Sequence, residues 1–455
     1  MTTAEFILAV PKAELHVHLD GSLRLPTLID LARSQGVVLP SYEEQGLCER
    51  VFKSQYASLS EYLAGFAYTC AVLRDTGALE RVACELAEDV LAENVRYLEV
   101  RFAPQLHVTR SDEMIGVLAA VTRGLERAAR AYHATPAVAS GRDLRFRFGL
   151  IVCAMRNFGP GMSPYYDRLT EVLPAMPHKE LVALASLEAA RVAVEARDRH
   201  GIPVVGFDLA GEEAGFRAGH HAAAFQEAHH HFICKTVHAG EAYGPESIYE
   251  AITRCHADRI GHGTWLFAPE RIADPAIKDR ARYVERLAEY IALRRIGVEV
   301  CPTSNLQTMP ELDGIINHPV RQMLAHRLAV VIGTDNRLVS HTTLSREIAL
   351  VARTFDLDLR ALRNLVLAGF KAAFFPGSYA EKRLYVAQAA AQFERIAADA
   401  RIPANVSLPF PGSMPGRGAC VEAVVPVGFR AHHDPASVRS DGRNVIAEPL
   451  EKEQG

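Results

Sequence analysis

Several features that would place this 455-residue chain in a specialised class are missing from its sequence. Acidic and basic residues nearly balance, with a formal net charge of −4, so no basic excess attracts nucleic acid or an anionic membrane. No apolar run approaches the ~20 residues of a membrane span. The N-terminus has no basic region followed by a long apolar segment, so we expect no signal peptide.

Paired cysteines and a nucleotide-binding loop are missing as well. The eight cysteines form no C-x-x-C pair and no dense framework, which is typical of a protein whose thiols stay reduced. We therefore expect a cytoplasmic protein. No G-x-G-x-x-G follows the first candidate strand, which argues against a dinucleotide-binding fold.

What is present is a series of short apolar segments separated by longer intervals. Eight segments are rich in apolar or β-branched residues and end in polar residues or glycine, which predicts buried strands. They are Glu14–Leu19, Tyr97–Phe102, Phe146–Cys153, Val204–Leu209, Phe232–Val237, Arg259–Gly261, Gly297–Cys301 and Ala329–Ile332. Most intervals can hold a helix, and Gly77–Asn94 and Lys179–Arg199 carry apolar residues at helical spacing. The alternation predicts an α/β fold, a parallel (β/α)8 TIM barrel, with an open doubly wound sheet as the alternative.

The predicted barrel domain spans residues 1–400, with two additions. Roughly residues 22–94, after the first strand, hold several predicted helices, and an insertion there often forms a lid over a barrel's site. Residues 401–455 are rich in proline and glycine and lack periodicity, which predicts a flexible C-terminal extension. An arm packed on the barrel or on a neighbouring subunit is the alternative, and the oligomeric state stays open.

Histidines, carboxylates and one amide lie at the ends of four of the predicted strands. In barrel enzymes the catalytic residues lie at the C-terminal ends of the strands. These residues are His16 and His18 towards the end of the first strand and Asp20 just after it, His238 and Glu241 after the fifth, His262 after the sixth, and Asp335 and Asn336 after the eighth. Any one of them alone is more simply explained as a surface polar residue or a core histidine. Their joint placement at strand ends is improbable by chance.

A catalytic zinc site is the chemistry that this set favours. His16 and His18 are two residues apart in a strand, so both can face the barrel mouth and bind one metal ion. Three imidazoles, one carboxylate and an open position are typical of a catalytic zinc, which lowers the pKa of a bound water towards neutrality. Glu241 and His262 then remain as acid and base.

Five other histidines do not share this placement at strand ends. They are His220, His221, His229, His230 and His231. We predict that they lie on the solvated surface of a helix, with a secondary metal-binding patch as the alternative.

Taken together, the motifs resemble those of the adenosine deaminase family of the amidohydrolase superfamily. The matching segments are HVHLDGS at 16–22, VRYLEVRFAPQLH at 95–107, FDLAGEE at 207–213, HAGE at 238–241, GHG at 261–263 and TDN at 334–336. Their order and spacing agree from about residue 10 to about residue 400. The resemblance implies zinc-dependent deamination of adenosine, and of 2′-deoxyadenosine, to the inosine analogue and ammonia, with one zinc ion per chain.

The resemblance also implies which residues carry out the reaction. The metal ligands would be His16, His18, His238 and Asp335. Glu241, His262 and Asp335 would be the catalytic residues. Glu241 would protonate the purine N1, His262 would orient and deprotonate the attacking water, and Asp335 would also contact that water.

The implied substrate-binding residues are His18, Asp20, Gly211 and Asn336, with Asp208 as a support for its strand end. Asp20 would bind the ribose 5′-hydroxyl, where the adenine-specific branch has glutamate, and the Gly211 N–H would reach N3 of the purine. Asn336 stands where most members have a second aspartate, and its amide offers N7 a donor.

The implied lid segment is SEYLAGFAY, residues 60–68. Tyr62, Leu63 and Phe66 would line the lid, and simple helix packing is the alternative explanation for them.

Two alternative functions stay open at this point. The first keeps the chemistry and changes the substrate to adenine or to a larger derivative such as aminodeoxyfutalosine. The second is a catalytically silent binding or signalling protein, which predicts a lost ligand, acid or base, and none is missing. The expected partner is a small-molecule purine nucleoside and not a membrane or a nucleic acid, because the H-x-E…P-C-x-x-C signature of nucleic-acid deaminases is absent.

Overall fold

A parallel eight-stranded barrel organises the computed structural model, which describes residues 2–401. The strands pair in chain order, and each runs parallel to the next. They are β1 Lys12–His18, β2 Val95–Phe102, β3 Arg147–Met155, β4 Val204–Ala210, β5 Cys234–Ala239, β6 Arg259–His262, β7 Gly297–Val300 and β8 Ala329–Ile332. The predicted extension lies outside the described residues from 402 onwards.

The last strand returns to the first, which closes the barrel. The Asp335 N–H donates to the His16 carbonyl, and the His18 N–H donates to the Asp335 carbonyl, both at 2.8 Å. The predicted (β/α)8 barrel is therefore confirmed, and the open-sheet alternative is excluded. All eight predicted strands are present, and the structure shifts their ends by no more than two residues.

Helices cover the outside of the barrel. Within residues 2–401 they are α1 Thr3–Ala9, α2 Leu25–Gln35, α3 Glu44–Arg50, α4 Leu59–Ala64, α5 Phe66–Val72, α6 Thr76–Ala92, α7 Met114–His133, α8 Pro136–Ala139, α9 Pro164–Val172, α10 His178–His200, α11 Ala222–His230, α12 Pro245–Arg254, α13 Arg280–Arg294, α14 Pro302–Thr308, α15 Val320–Ala325, α16 Leu344–Thr354, α17 Leu359–Ala372 and α18 Tyr379–Asp399. The two helices read from the sequence are α6 and α10.

Local chemistry sets the ends of these two long helices. Asp75 caps α6 by accepting a hydrogen bond from the Ala78 N–H, one of the backbone donors that a helix start leaves unpaired. Gly201 ends α10 with a φ of +65°, a left-handed conformation that favours glycine. Between β1 and β2 the chain forms α2 to α6, so extra helices do follow the first strand.

The barrel interior holds charged side chains as well as apolar ones. Glu99, Arg101, Asp208, Arg259 and Glu299 are all at most 1% exposed. Arg259 donates to Glu99 at 2.6 Å and to Glu299 at 2.5 Å, so each buried charge has a partner of opposite sign. Buried ions need such pairing, because removing one partner leaves an uncompensated charge.

Six of the cysteines in the described part of the chain carry free thiols. Cys70, Cys84, Cys153, Cys255 and Cys301 are free and buried, and Cys234 is free and half-buried. Within the described part of the chain, no helix combines the length and the apolar character needed to cross a membrane.

Candidate metal centre and active site

The first strand ends in two histidines that lie beside Asp335, which follows the neighbouring strand β8. The pairing of β1 with β2 is irregular between Glu14 and Val17, and both His16 and His18 are buried at the mouth. Asp335 Oδ1 lies 3.6 Å from His16 Nε2 and 3.4 Å from His18 Nε2.

Four of the strand-end residues form one compact group of metal-binding atoms. One atom from each of His16, His238, His262 and Asp335 lies within 4.8 Å of those of the others. His18 joins them, because its Nε2 is 3.3 Å from His238 Nε2. The structure therefore brings together every predicted ligand, with His262 beside them.

The distances fit a zinc ion. Two nitrogens that each lie about 2.0–2.1 Å from a tetrahedral zinc are roughly 3.4 Å apart. The spacing between His18 and His238 is 3.3 Å, close to that value. In addition, His16 Nε2 is buried and has no hydrogen-bond partner within residues 2–401, an arrangement that a metal bond would satisfy.

Buried carboxylates hold two of these imidazoles with Nε2 facing inward. His16 Nδ1 donates to Glu299 at 2.7 Å, and His238 Nδ1 donates to Asp208 at 3.1 Å. With the proton on Nδ1, each ring keeps its Nε2 lone pair for a metal ion. The sequence suggested a supporting role for Asp208, whereas Glu299 was missed; its signal is a lone charge within the buried strand GVEV.

Arg101 keeps both carboxylates ionised. Its guanidinium donates to Asp208 at 3.0 Å and to Glu299 at 2.8 Å. Burial alone would favour the protonated carboxyl, but the charges of His238 and Arg101 outweigh it and lower the pKa of Asp208. Arg101 and the Arg259 charge do the same for Glu299, whose pKa lies well below its ordinary value.

Glu241 and His262 lie next to each other beside the metal-binding group. His262 Nε2 is 3.5 Å from Glu241 Oε1, and the two side chains are 1% and 7% exposed. Burial raises the pKa of Glu241 to about 7, and burial together with the His16 charge lowers the pKa of His262 to about 4. A carboxyl group that holds a proton near neutral pH is suited to act as a general acid.

A second glutamate fixes the turn that carries Glu241. Glu213 accepts hydrogen bonds from the backbone N–H groups of Gly240, Glu241, Ala242 and Tyr243, at 2.7–3.1 Å. Glu213 is fully buried, and its place in the FDLAGEE motif was the available signal for this role.

Asp20, the predicted contact of the ribose 5′-hydroxyl, is a buried carboxylate beside an imidazole and a thiol. Asp20 is 3% exposed, and its Oδ1 has no partner in the described part of the chain. His107 Nε2 lies 3.8 Å from Asp20 Oδ2, and Cys70 completes a group of three. Sequence reasoning missed His107 and Cys70, although His107 ends the matching segment VRYLEVRFAPQLH.

Two glycines of the motifs occupy places that a side chain cannot. Gly211 has a φ of +97°, and a Cβ there would lie 3.2 Å from Met155 Cε. A Cβ on Gly21 would come within 1.9 Å of Asn336 Oδ1. Gly21 therefore leaves the room that Asn336 needs.

The lid segment ties Asn336 to the helices after β1. Tyr62 is 1% exposed, and its Oη accepts from Asn336 Nδ2 at 2.8 Å and contacts Ser340 Oγ at 2.9 Å. One of the two amide hydrogens of Asn336 is thus engaged by the lid, which leaves the other for a ligand. Leu63 and Phe66 are half-buried and pack against the core.

The prediction for the five outlying histidines is wrong at one position. His229, His230 and His231 are exposed and His220 is half-buried, but His221 is 1% exposed. Its Nδ1 forms a hydrogen bond of 2.7 Å with Ser186 Oγ, because the short 3-10 turn before α11 directs this ring towards α10. None of the five belongs to a metal-binding group within residues 2–401.

Comparison with known proteins identifies a family for most of the chain. A family model described as adenosine deaminase matches residues 11–386. An adenosine deaminase from Mycobacteroides abscessus is 37% identical over 376 residues, which cover 81% of this chain and 92% of that protein.

Solved structures share the architecture. The crystal structure of Arabidopsis ADAL complexed with IMP matches with a TM-score of 0.65 at 26% identity, over 87% of this chain and 99% of that one. An amidohydrolase from Burkhoderia ambifaria with bound Zn matches with a TM-score of 0.66 at 22% identity, over 88% and 95%, and this likeness shows the fold alone.

Proposed function

The chain belongs to the adenosine deaminase family, a hydrolase family, and we propose that it converts adenosine and 2′-deoxyadenosine into inosine or deoxyinosine and ammonia at one zinc ion. The observation that carries the proposal is the convergence of His16, His18, His238 and Asp335 around one point, with Glu241 beside them. This arrangement supplies a metal site and a proton donor within one pocket.

Zinc supplies an activated water when it is bound by three imidazoles and a carboxylate. The residues of the chain supply the rest of the reaction. Glu241 gives its proton to the purine N1, which makes C6 more electrophilic, and the raised pKa of Glu241 suits this task. The water would add to C6 as hydroxide, and its released proton would return to Glu241. The new hydroxyl group would then pass its proton to the amine, and the C6–N6 bond would break to release ammonia.

The pocket around Asp20 favours a nucleoside. Burial raises the pKa of Asp20 to about 7. Its carboxyl group can accept the hydrogen bond of a 5′-hydroxyl in either protonation state, and in the ionised state it repels the negative charge of a 5′-phosphate. The Gly211 N–H and the second amide hydrogen of Asn336 are the proposed donors to N3 and N7 of the purine. His18, two residues before Asp20, is a further proposed contact of the substrate. A cytoplasmic location, expected from the dispersed cysteines, belongs to the same proposal.

A comparison of substrates tests the proposal. We expect the highest kcat/KM of the purified zinc-loaded enzyme on adenosine, with 2′-deoxyadenosine next, and much lower values on adenine, AMP and aminodeoxyfutalosine. Ammonia release gives the rates. A kcat/KM tenfold higher on any of the last three than on adenosine would overturn the substrate assignment.

Metal analysis tests the cofactor. We expect about one zinc ion per chain in active preparations and about none after His16→Ala. Active protein with far less than one zinc ion per chain would contradict the zinc proposal.

A further inference from the structure

A row of hydrogen bonds leads from the backbone of α15 to the imidazole of His262. The Val320 N–H donates to His318 Nδ1 at 3.1 Å. His318 Nε2 lies 3.2 Å from Asn305 Oδ1, and Asn305 Nδ2 lies 3.0 Å from His262 Nδ1. We call this row the His318–Asn305–His262 relay.

The direction of the relay is set at its backbone end. An amide N–H can only donate, so His318 Nδ1 accepts and carries no proton. The neutral His318 ring then carries its proton on Nε2, which faces Asn305. This proton requires an acceptor, and the oxygen of the Asn305 amide is the group that provides one.

The amide of Asn305 accepts from His318 and donates to His262, so the direction of donation continues along the relay. If its oxygen and nitrogen were exchanged, the NH2 group would face the Nε2–H of His318, and two donors would meet. The observed orientation avoids this conflict and turns the NH2 group towards His262. His262 Nδ1 therefore accepts, and a neutral His262 carries its proton on Nε2.

Burial makes this network hard to rearrange. His262, Asn305 and His318 are 1%, 0% and 2% exposed, so water is not available to replace a lost hydrogen bond. An unpaired buried donor or acceptor costs about 1–3 kcal/mol. The backbone of His262 adds a second constraint, with a φ of +64° that a non-glycine residue adopts only when its surroundings enforce it.

We propose that the relay locks His262 in the Nε2–H tautomer, so that His262 acts as a hydrogen-bond donor to the attacking water and not as the base that deprotonates it. Asn305 and His318 are then positioning residues that act through His262. The tautomer follows from the hydrogen bonds alone, whereas the role in the reaction rests on the proposed function.

The inference replaces one expectation from the family resemblance. A base needs a lone pair aimed at the proton that it removes. On His262 the lone pair is on Nδ1 and is occupied by Asn305, while Nε2 faces Glu241 and the metal-binding group. A fixed N–H in that place holds the attacking oxygen by its lone pair and orients it towards the purine.

Nitrogen-15 NMR of labelled histidine tests the tautomer directly. The spectrum distinguishes protonated from unprotonated ring nitrogens, and a His262→Gln variant assigns the signal of His262. We expect an unprotonated Nδ1 and a protonated Nε2 near neutral pH, both without metal and with zinc. A protonated Nδ1 in the parent protein would overturn the proposal, whatever the activity.

The Asn305→Asp variant tests the consequence. A carboxylate can only accept, so it forces the proton of His262 onto Nδ1 and removes the donor from the active site. We expect this switch in the NMR spectrum and a fall in kcat of about 10- to 100-fold, with KM nearly unchanged. The matched control is Asn317→Asp at an exposed position, for which kcat should match that of the parent.

Two variants of His318 separate polarity from packing. Glutamine retains a side-chain N–H in the place of Nε2–H, whereas leucine fills the space without a donor. We expect His318→Gln to retain most of the parental kcat and His318→Leu to lose it, with equal zinc content and similar Tm. Equal loss in both would refute His318 as a positioning residue.

The outcomes separate this proposal from the proposed function. Protein that shows the Nε2–H tautomer and deaminates no 6-aminopurine would disprove the function and leave the relay intact. Protein that deaminates adenosine and shows the Nδ1–H tautomer of His262 would support the function and disprove the relay. If Asn305→Asp does not fold, the NMR spectrum of the parent protein still shows which tautomer His262 adopts.

Discussion

At the scale of single residues, the orientation of the imidazoles in the metal-binding group is set by residues outside that group. His16 and His238 have their rings oriented by Glu299 and Asp208, and Arg101 binds both carboxylates. Such outer contacts typically contribute 10- to 100-fold to metal affinity or activity. The ligand set is therefore a property of the barrel interior and not of the histidines alone.

The proton of Glu241 gives a prediction at this scale. Glu241→Gln keeps the shape of the side chain and removes the acid, so kcat should fall by roughly 10²- to 10⁴-fold, with zinc content unchanged. The measurement is kcat beside zinc per chain. The control is Glu270→Gln, at an exposed position, which should behave as the parent does. A Glu241→Gln enzyme with nearly full kcat would show that another group is the acid.

The pH profile follows from the same group. Burial raises the pKa of Glu241 to about 7, and its active form is the protonated one. Activity should therefore be constant below that pH and fall as pH rises through it, because the proton donor is lost. This alkaline decline should be absent from the residual activity of Glu241→Gln. A kcat that rises above pH 7 in the parent would contradict the assignment.

At the scale of elements, the ends of the strands position the side chains of the candidate site. His262 at the end of β6 and Asp335 just after β8 have φ values of +64° and +59°. Left-handed conformations at non-glycine residues cost about 1–3 kcal/mol and persist where the surroundings enforce them. Strand periodicity predicts neither value, since both arise where a regular strand breaks.

The predicted lid helix α4 contacts Asn336 and Ser340 through the hydroxyl of Tyr62. Tyr62→Phe removes the acceptor of Asn336 Nδ2 and the contact with Ser340, and it leaves the aromatic ring in place. We expect a several-fold rise in KM for adenosine with a smaller change in kcat, because the amide that faces the purine is no longer held. Steady-state kinetics measure both.

A matched variant controls for the loss of a hydroxyl elsewhere. Tyr379→Phe makes the same change at a side chain that is 76% exposed, and its KM should equal that of the parent. If Tyr62→Phe also leaves KM unchanged, then the helix-packing alternative for the lid residue is the correct one.

At the scale of the whole molecule, the proposed zinc ion should stabilise the fold. The proposed ligands come from β1, from β5 and from the residues after β8, so a bound metal would link distant parts of the barrel. A ligand at a thousandfold excess over its Kd stabilises the folded state by about 4 kcal/mol. Chelation should lower Tm, and added zinc should restore it, as calorimetry can measure.

Two histidine variants sharpen that experiment. His16→Ala should abolish the zinc-dependent change in Tm, whereas His229→Ala, at an exposed position, should retain it. An unchanged Tm after complete removal of zinc would show that the metal is not part of the folded framework.

The sequence by itself predicts the order of the strands and the residues that lie at their ends. Eight short apolar segments reveal a barrel because strands buried on both faces are apolar almost throughout. His16 stands out because it lies in such a segment, and His238 and Asp335 stand out because each follows one. The single charges Arg101 and Glu299 carry no local pattern, since their partners are distant in the chain, and His221 lies in a polar stretch that resembles surface.

Only the tertiary structure decided what each group can do. The sequence determined that four histidines, a glutamate and two aspartates reach one mouth, because hydrophobic periodicity is local and strand ends of a parallel barrel lie together. The tautomer of His262, the engagement of Asn336 by Tyr62 and the raised pKa of Glu241 depend on groups brought close by folding. Hydrogen-bond direction and burial are properties of neighbours in space, and no spacing along the chain encodes them.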